Sequence, residues 1–213
     1  MKVLIKFVVS FAVVISLVGC ATSRSVLDIP PPSGQAGQPN NKRVFINSAT
    51  DKRVFQSNPS SPDIPSLDPS EDASDKIKLS AIGRKRNGFG KALGDILLKE
   101  EQTVESLSTD AIKQAFIEKG YTVVSRKDIS KDTYIVDADI EKFWSWMNPG
   151  FTAITLSTEI STNLNIQKQG SNGKQKISVK ASDSYQIGTE NNWIEIINKA
   201  LRLYIDELKT KLE

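Results

Sequence analysis

The sequence of 213 residues contains no histidine and only one cysteine. The absence of histidine excludes imidazole metal sites, histidine-based catalytic triads and the usual acid–base group for chemistry near pH 7. A single cysteine excludes an internal disulfide and a thiolate zinc cluster. No surrounding motif singles out a serine, lysine or carboxylate as a reactive group. We therefore expect a protein that is not an enzyme, with no catalytic residue, no cofactor and no metal.

Residues 1–19 have the pattern of a secretory signal peptide. Lys2 and Lys6 supply positive charge, and the apolar run from Val3 to Val18 is shorter than the roughly 20 residues that span a bilayer. The run ends in a motif that resembles the lipobox of bacterial lipoproteins, formed by Leu17, Val18, Gly19 and Cys20. In that class the cysteine carries acyl chains, palmitate among them, and becomes the first residue of the mature protein. The alternative is an uncleaved signal anchor with a chance cysteine.

The residue after the cysteine indicates which of the two bacterial membranes would hold the lipoprotein. Ala21 is not the aspartate that usually retains such lipoproteins at the inner membrane. By this resemblance, the chain lies on the periplasmic face of the outer membrane, attached through the acyl chains on Cys20. Loss of residues 1–19 removes two lysines and so lowers the formal net charge of +3 by two. A nearly neutral periplasmic protein is not expected to bind nucleic acid.

The rest of the chain is predicted to form a tether and one domain. Residues 20–41 are poor in large apolar side chains and include three consecutive prolines, which is typical of a flexible linker. Residues 42–213 are predicted to be a single domain that folds without the tether. It is expected to contain a strand at Arg43–Asn47, a long loop at Ser57–Ser74 and a short strand at Lys76–Ile82.

Two helices and a meander dominate the second half. Apolar residues recur every three or four positions in Thr103–Lys119 and in Glu190–Leu212, which predicts two amphipathic helices. Between them, alternation of apolar and polar residues predicts a brief strand at Tyr121–Ser125 and three antiparallel strands from Tyr134 to Tyr185. The pattern indicates an α+β fold. We expect a two-layer sandwich with a mostly antiparallel sheet and both helices packed on one face.

A basic cluster occupies the glycine-rich segment from Gly83 to Gly94. Its glycines lack the spacing of a dinucleotide site, and Lys91 is followed by alanine rather than the hydroxyl residue of a phosphate loop. The cluster comprises Arg84, Lys85, Arg86 and Lys91. One interpretation is a loop that contacts phosphate-bearing lipid or an acidic protein partner, and the other is a solvated hinge.

The segment Phe143–Phe151 packs four aromatic residues around a turn. In a strand, Trp144 and Trp146 share one face and Phe143 lies on the other. The tryptophans either form an exposed edge for a partner or bilayer, or cover one end of the core. Before them, Asp137, Asp139 and Glu141 line one strand face, and a solvated polar face paired with lysines explains them better than a calcium or catalytic site.

The layout resembles the YajG-like family of small bacterial lipoproteins. The resemblance rests on the lipobox ending at Cys20, on Val44–Asn47 followed by Asp51–Arg53, on the helix ending Glu118–Tyr121, and on the meander before a terminal helix. It implies an envelope lipoprotein and no reaction. We therefore expect an outer-membrane-anchored, non-enzymatic accessory component of an envelope assembly that binds a protein partner. The alternative is a protein that handles lipid or lipopolysaccharide in an apolar cleft.

Overall fold

The structure, a computed structural model, describes residues 24–68 and 73–212. The predictions for the signal peptide, the lipobox and Cys20 lie outside these residues. Within the described ranges, no helix is both long and apolar enough to cross a membrane.

The described residues form eight strands and three α-helices. In chain order these are β1 (Ser25–Leu27), β2 (Arg43–Asp51), α1 (Asp75–Ser80), β3 (Ala81–Arg86), β4 (Ala92–Leu98), α2 (Val104–Glu118), β5 (Thr122–Val123), β6 (Thr133–Pro149), β7 (Ile154–Lys168), β8 (Ser171–Tyr185) and α3 (Glu190–Lys211). A single 3-10 turn, Arg126–Asp128, joins β5 to β6.

All eight strands belong to one mixed sheet built around the 17-residue strand β6. On one edge β6 pairs with β7, which pairs with β8; on the other edge its first half pairs with β2 and its second half with β3. The pairs β3–β4, β6–β7 and β7–β8 are antiparallel, whereas β1–β4, β2–β5, β2–β6 and β3–β6 are parallel. The α+β class is confirmed, and a two-layer sandwich is not. The expected mostly antiparallel sheet is wrong, because long connections through α2 let β6 return parallel to β2 and β3.

Helices α2 and α3 form where the sequence predicts them. Thr103 caps α2 by accepting a hydrogen bond from the Ser106 amide, while the Ser106 hydroxyl accepts one from the Thr103 amide. Thr189 and Asn192 cap α3 in the same way. Gly120 ends α2 with a φ of 89°, a conformation that favours glycine. Both helices bury their apolar faces in one core with the sheet.

The predicted strand at Lys76–Ile82 is wrong over most of its length. Residues 75–80 form α1, where the Asp75 carboxylate lies 2.8 Å from the Lys78 ammonium, one helical turn away. The alternation of Ile77 and Leu79 was too short to distinguish a strand from a helical turn. Only the last two residues of the predicted strand belong to β3.

The predicted flexible tether is wrong for its described part, residues 24–41. Residues 25–27 pair with β4 as strand β1, and the side chains of Leu27 and Ile29 are fully buried in the main core. Further along, the Gly37 amide donates a hydrogen bond to the Ile117 carbonyl at the C-terminal end of α2. Two well-placed apolar side chains and backbone hydrogen bonds thus bind a segment whose average composition is that of a linker.

A bulge in β6 changes which of its residues face the helices. Before the bulge, which lies between Ile140 and Lys142, even-numbered residues such as Ile140 face the helices; after it, Phe143 does so. Trp144 and Trp146 consequently lie on the opposite face. There they form a second, smaller core with Leu67, Ala81 and Leu97.

Candidate binding face

The structure brings the basic cluster and the tryptophan pair together. Strand β3 lies parallel to the second half of β6, with Arg84 opposite Trp146 and Gly83 opposite Ser145. Gly83 permits this approach, since a Cβ there would lie 2.7 Å from the Ser145 carbonyl oxygen. We call the resulting surface the arginine–tryptophan face. It comprises Arg84, Arg86, Lys142, Trp144 and Trp146.

A proline-containing segment of the same chain covers this face. Residues 53–67, here called the cover segment, include three prolines and end with Leu67 packed in the second core. Phe55 meets Trp144 edge to face, with ring centroids 5.9 Å apart. The segment folds back on itself through a hydrogen bond from the Gln56 amide to the Pro65 carbonyl. The predicted long loop is therefore confirmed as a loop in its described part, and it is packed on the sheet.

The face contacts the cover segment largely through the cover's backbone. Each of three large side chains donates to a carbonyl oxygen, and the two arginines also share one hydroxyl. The pairs are Trp144 Nε1 to Pro62 (3.1 Å), Arg84 Nη1 to Leu67 (2.8 Å), Arg86 Nη1 to Pro59 (2.9 Å), and Arg84 Nη1 and Arg86 Nη2 to Ser66 Oγ (3.3 and 2.8 Å). Because the acceptors are mostly main-chain atoms, this geometry does not depend on the particular side chains of the cover segment.

The two arginines have unequal electrostatic surroundings. Arg84 forms ion pairs with Asp95 (3.6 Å), which is fully buried, and with Asp68 (3.5 Å). Arg86 is 8% exposed, and no described carboxylate lies within ion-pair distance of it. Burial lowers the pKa of Arg86, the charge of Arg84 lowers it further, and Asp95 partly opposes both effects. An arginine nevertheless stays protonated. Arg86 is thus a buried cation that donates its hydrogen bonds to two neutral oxygens, Pro59 O and Ser66 Oγ, with Asp95 as a more distant opposite charge.

The buried guanidinium groups also retain unused hydrogen-bond donors. The Nε atoms of Arg84 and Arg86 have no hydrogen-bond partner in the described part of the chain. Removing a charged donor from water without a replacement acceptor is costly, and the cost grows in a low-dielectric site. The contact between face and cover is therefore incompletely satisfied on its polar side.

Two lysines lie against the ring of Trp146, and one of them, Lys142, also links the cover segment to the sheet. The ammonium groups of Lys142 and Lys180 lie 5.7 and 4.9 Å from the centroid of Trp146, within cation–π range. Lys142 also bonds Asp63 of the cover (3.1 Å) and Glu159 of β7 (2.8 Å). Burial alone would lower the pKa of Lys142, but these two carboxylates raise it overall. The lysine therefore stays charged.

The predicted contact residues have different environments in the structure. Of the six residues predicted to contact a partner or an anionic surface (Arg84, Lys85, Arg86, Lys91, Trp144 and Trp146), only Lys91 is exposed. Arg84, Lys85 and Arg86 lie in β3, an inner strand between β4 and β6, so the expectation of a basic loop is wrong for them. Lys85 donates to Ser25 Oγ of β1 at 3.1 Å. The tryptophans are 0% and 3% exposed, so they are not an exposed edge; they pack in the second core rather than over one end of the main core.

Sequence reasoning missed the residues that support this face. Arg53 is buried and pairs with Asp51 (2.7 Å), and it donates to the carbonyls of Ala81, Phe143 and Lys78. This arginine is well partnered and joins β2, α1, β3 and β6. The alternation of Arg84 with Arg86, matching that of Trp144 with Trp146, was the available indication that both pairs occupy strands.

The acidic strip on β6 is a solvated polar face, as predicted. Asp137 accepts hydrogen bonds from Asn47 and Ser48, and Glu141 lies 3.8 Å from the Lys176 ammonium. Among residues 24–68 and 73–212, no group of three or more acidic or cysteine side chains is arranged to bind a metal ion.

No protein-family model and no curated protein matches the chain. Among solved structures, an uncharacterised protein has 8% identity over 90% of this chain and 99% of its own, with a TM-score of 0.49. A Xanthomonas campestris protein of family DUF330 has 7% identity over 88% and 97%, with a TM-score of 0.40. A minor lipoprotein from Acinetobacter baumannii has 14% identity over 48% and 83%, with a TM-score of 0.32. These neighbours do not confirm the YajG-like resemblance, and at such scores they carry no argument about family or function.

Proposed function

We propose that this chain is a YajG-like outer-membrane lipoprotein, acylated on Cys20, that acts in the periplasm as a non-enzymatic accessory component of an envelope assembly. In this proposal it binds a protein partner through the arginine–tryptophan face. The observation that carries the partner site is Arg86, a buried cation that has no ion-pair partner among residues 24–68 and 73–212 and donates to a carbonyl of the cover segment.

The contacts of the cover segment define the chemistry of the partner. The face binds a folded-back, proline-containing segment through three of its carbonyl oxygens and an aromatic surface. Aromatic surfaces also recognise proline-rich segments in other proteins. A partner segment with a carboxylate near Arg86 would add a charge-assisted hydrogen bond that the cover segment lacks. This gain offsets the advantage that the cover has from being covalently attached. We therefore propose an acidic, proline-containing segment as the partner's binding element.

The lipid-handling alternative gains no support from the described cavities. One cavity of about 560 Å³ lies beside the turn between β7 and β8 and is open to solvent. Most of its lining residues are polar, Lys131, Gln167 and Asn172 among them. A second cavity, lined in part by Phe116, Tyr121, Tyr134 and Ile166, holds only about 130 Å³, below the roughly 300 Å³ of the smallest typical ligand pockets. A site for acyl chains is expected to be mostly apolar.

The anchor is tested by Cys20→Ser in the cell. The serine variant cannot be acylated on sulfur, so we expect it to leave the membrane fraction and to appear in the soluble periplasmic fraction. Ala21→Ser, a change beside the cysteine that leaves the thiol in place, is the control and should stay in the membrane. A Cys20→Ser protein that remains membrane-bound after salt washing would contradict the proposed anchor.

The partner site is tested by photocrosslinking in cells. A photoreactive residue at Lys180, an exposed residue of β8 whose ammonium lies 4.9 Å from the Trp146 centroid, is expected to capture a defined protein. The same residue at Leu203 on α3, which is 39% exposed, should not. Arg86→Met is expected to abolish the product, whereas Arg43→Met, at an arginine that bonds the Asp128 carbonyl near solvent, should leave it unchanged. A product that persists in a folded Arg86→Met protein would argue against the proposed site.

A further inference from the structure

Three of the most exposed large apolar side chains lie at one end of the sheet. Phe151 and Phe89 are completely or almost completely exposed (105% and 98%), and Ile187 is 68% exposed. They follow β6, β3 and β8 respectively. These three strands run in the same direction. Strand β3 is parallel to β6, and β8 is antiparallel to β7, which is itself antiparallel to β6. We call this the tip end.

The pairing register places the two phenylalanines at a similar height. Arg84 is opposite Trp146, and each phenylalanine follows its paired residue by the same number of positions along the chain. Both sit in tight turns. The Asn87 amide donates to the Lys91 carbonyl at 2.9 Å, and the Gly150 amide donates to the Ala153 carbonyl at 2.8 Å. Two rings thus project from neighbouring turns with little surrounding structure to bury them.

The amino-terminal segment enters the fold from the same end. Strand β1 is parallel to β4, which itself starts at the turn that carries Phe89. Arg24 pairs with Asp95 at 3.3 Å, and Asp95 is the register partner of Arg84. Arg24 therefore lies level with Arg84 and Trp146, the residues beyond which β3 and β6 continue to the turns that carry Phe89 and Phe151. Cys20 is four residues earlier, and an extended chain spans at most ~3.6 Å per residue, so the cysteine lies within about 14 Å of Arg24.

We propose that the tip end docks against the lipid bilayer, with the rings of Phe89 and Phe151 inserted at the membrane interface. This inference rests on the proposed acylation of Cys20, since a short connection between Cys20 and β1 leaves this end nearest the lipid. Phenylalanine is among the apolar residues with which interfacial segments enter the boundary between headgroups and acyl chains. Lys91 is the only charged residue in the two turns, and its ammonium can reach the phosphate headgroups while its stem stays apolar.

Docking in this way determines the orientation of the candidate partner site. Strand β6 stands upright on the membrane, and the arginine–tryptophan face points sideways into the periplasm. The cover segment on this face is then accessible from the periplasm, so that a partner can replace it while the anchor is in the bilayer. Because the contact is mainly aromatic, it is expected to persist at high salt.

The test uses the full acylated chain, purified from membranes and reconstituted into vesicles of phosphatidylethanolamine and phosphatidylglycerol. The acylated Cys20 has no free thiol, so a cysteine introduced by Phe89→Cys, Phe151→Cys or Val54→Cys is the only site for an environment-sensitive fluorophore. Val54 is the control, since it is exposed in the cover segment away from the tips. We expect a blue shift and quenching by nitroxide-labelled lipids at positions 89 and 151, and quenching by aqueous iodide at position 54.

Iodide quenching at 89 and 151 equal to that at 54, in a chain whose Cys20 is acylated by mass spectrometry, would overturn the docking and leave the anchor intact. A blue shift that occurs in native membranes and not in pure lipid vesicles would also overturn it, and would assign the tips to a protein partner. An unmodified Cys20 would overturn the anchor, and with it the docking.

Discussion

We expect Glu118→Gln to destabilise the fold in a pH-dependent way. Glu118 is the last residue of α2, and its carboxylate receives two hydrogen bonds from Arg202 of α3 (2.6 and 2.8 Å) and one from Lys209 (2.8 Å). Its side chain is only 8% exposed. The hydrogen bonds from Arg202, supported by Lys209 and Gln114, outweigh burial and lower the pKa of Glu118 from 4.5 to about 2.

The pKa shift sets the magnitude and the pH range. At about 1.4 kcal/mol per pH unit, a shift of this size corresponds to roughly 3 kcal/mol. Both cationic partners are about one third exposed, so solvent screening reduces the contribution. We expect a loss of about 1–3 kcal/mol in the free energy of unfolding at pH 7. Because the folded-state pKa is lowered, this contribution is complete above pH 4.5 and disappears as the pH falls towards about 2.

The assay is urea unfolding of the mature chain carrying Cys20→Ser, with and without Glu118→Gln, from pH 7 to pH 2. Glu100→Gln is the control because Glu100 is an exposed carboxylate, and this variant should unfold like the parent. The difference between parent and Glu118→Gln should narrow below pH 4.5. Equal stability at pH 7, or a difference that stays constant down to pH 2, would refute this reasoning.

Two further predictions test the packing of the amino-terminal segment. A chain that starts at Lys42 should lose cooperative unfolding by circular dichroism, since it lacks β1 and two fully buried core side chains, each worth about 2–5 kcal/mol; an unchanged transition would contradict the packing described. Gly120→Ala should destabilise more than Gly170→Ala, as measured by the urea midpoint. Both glycines have positive φ, but only at Gly120 would a Cβ collide with the Gln38 carbonyl oxygen. Equal midpoints would show that the residues around Gln38 are not held against α2.

Local pattern was sufficient for the long elements. Helices α2 and α3 carry apolar stripes, cap residues and, for α2, a terminal glycine, and the three long strands of the meander alternate over many residues. These features act between neighbours in the chain, so periodicity reveals them. The same reasoning failed at α1, because six residues are too few to distinguish the period of about 3.6 residues in a helix from the two-residue period of a strand.

The candidate face was only partly predictable. Four of its five residues were selected from the sequence, but as parts of two separate surfaces, one basic and one aromatic; Lys142 was not selected. Their union depends on the parallel pairing of β3 with β6, between residues about 60 positions apart. The bulge after Ile140 then decides that the tryptophans lie on the opposite face from the helices. Neither the pairing nor the bulge has a local pattern in the chain.

The sequence by itself determined the α+β class, the bounds of the long helices and strands, and the expectation of a lipid anchor, because each depends on residues close together in the chain. The tertiary structure alone decided that the arginines are buried, that the proline-containing segment covers them, and that residues 24–41 belong to the fold. The physical reason is that burial depends on which distant segments meet. A guanidinium in an exposed loop and one beneath a cover segment have the same sequence neighbours, and only long-range strand pairing distinguishes them.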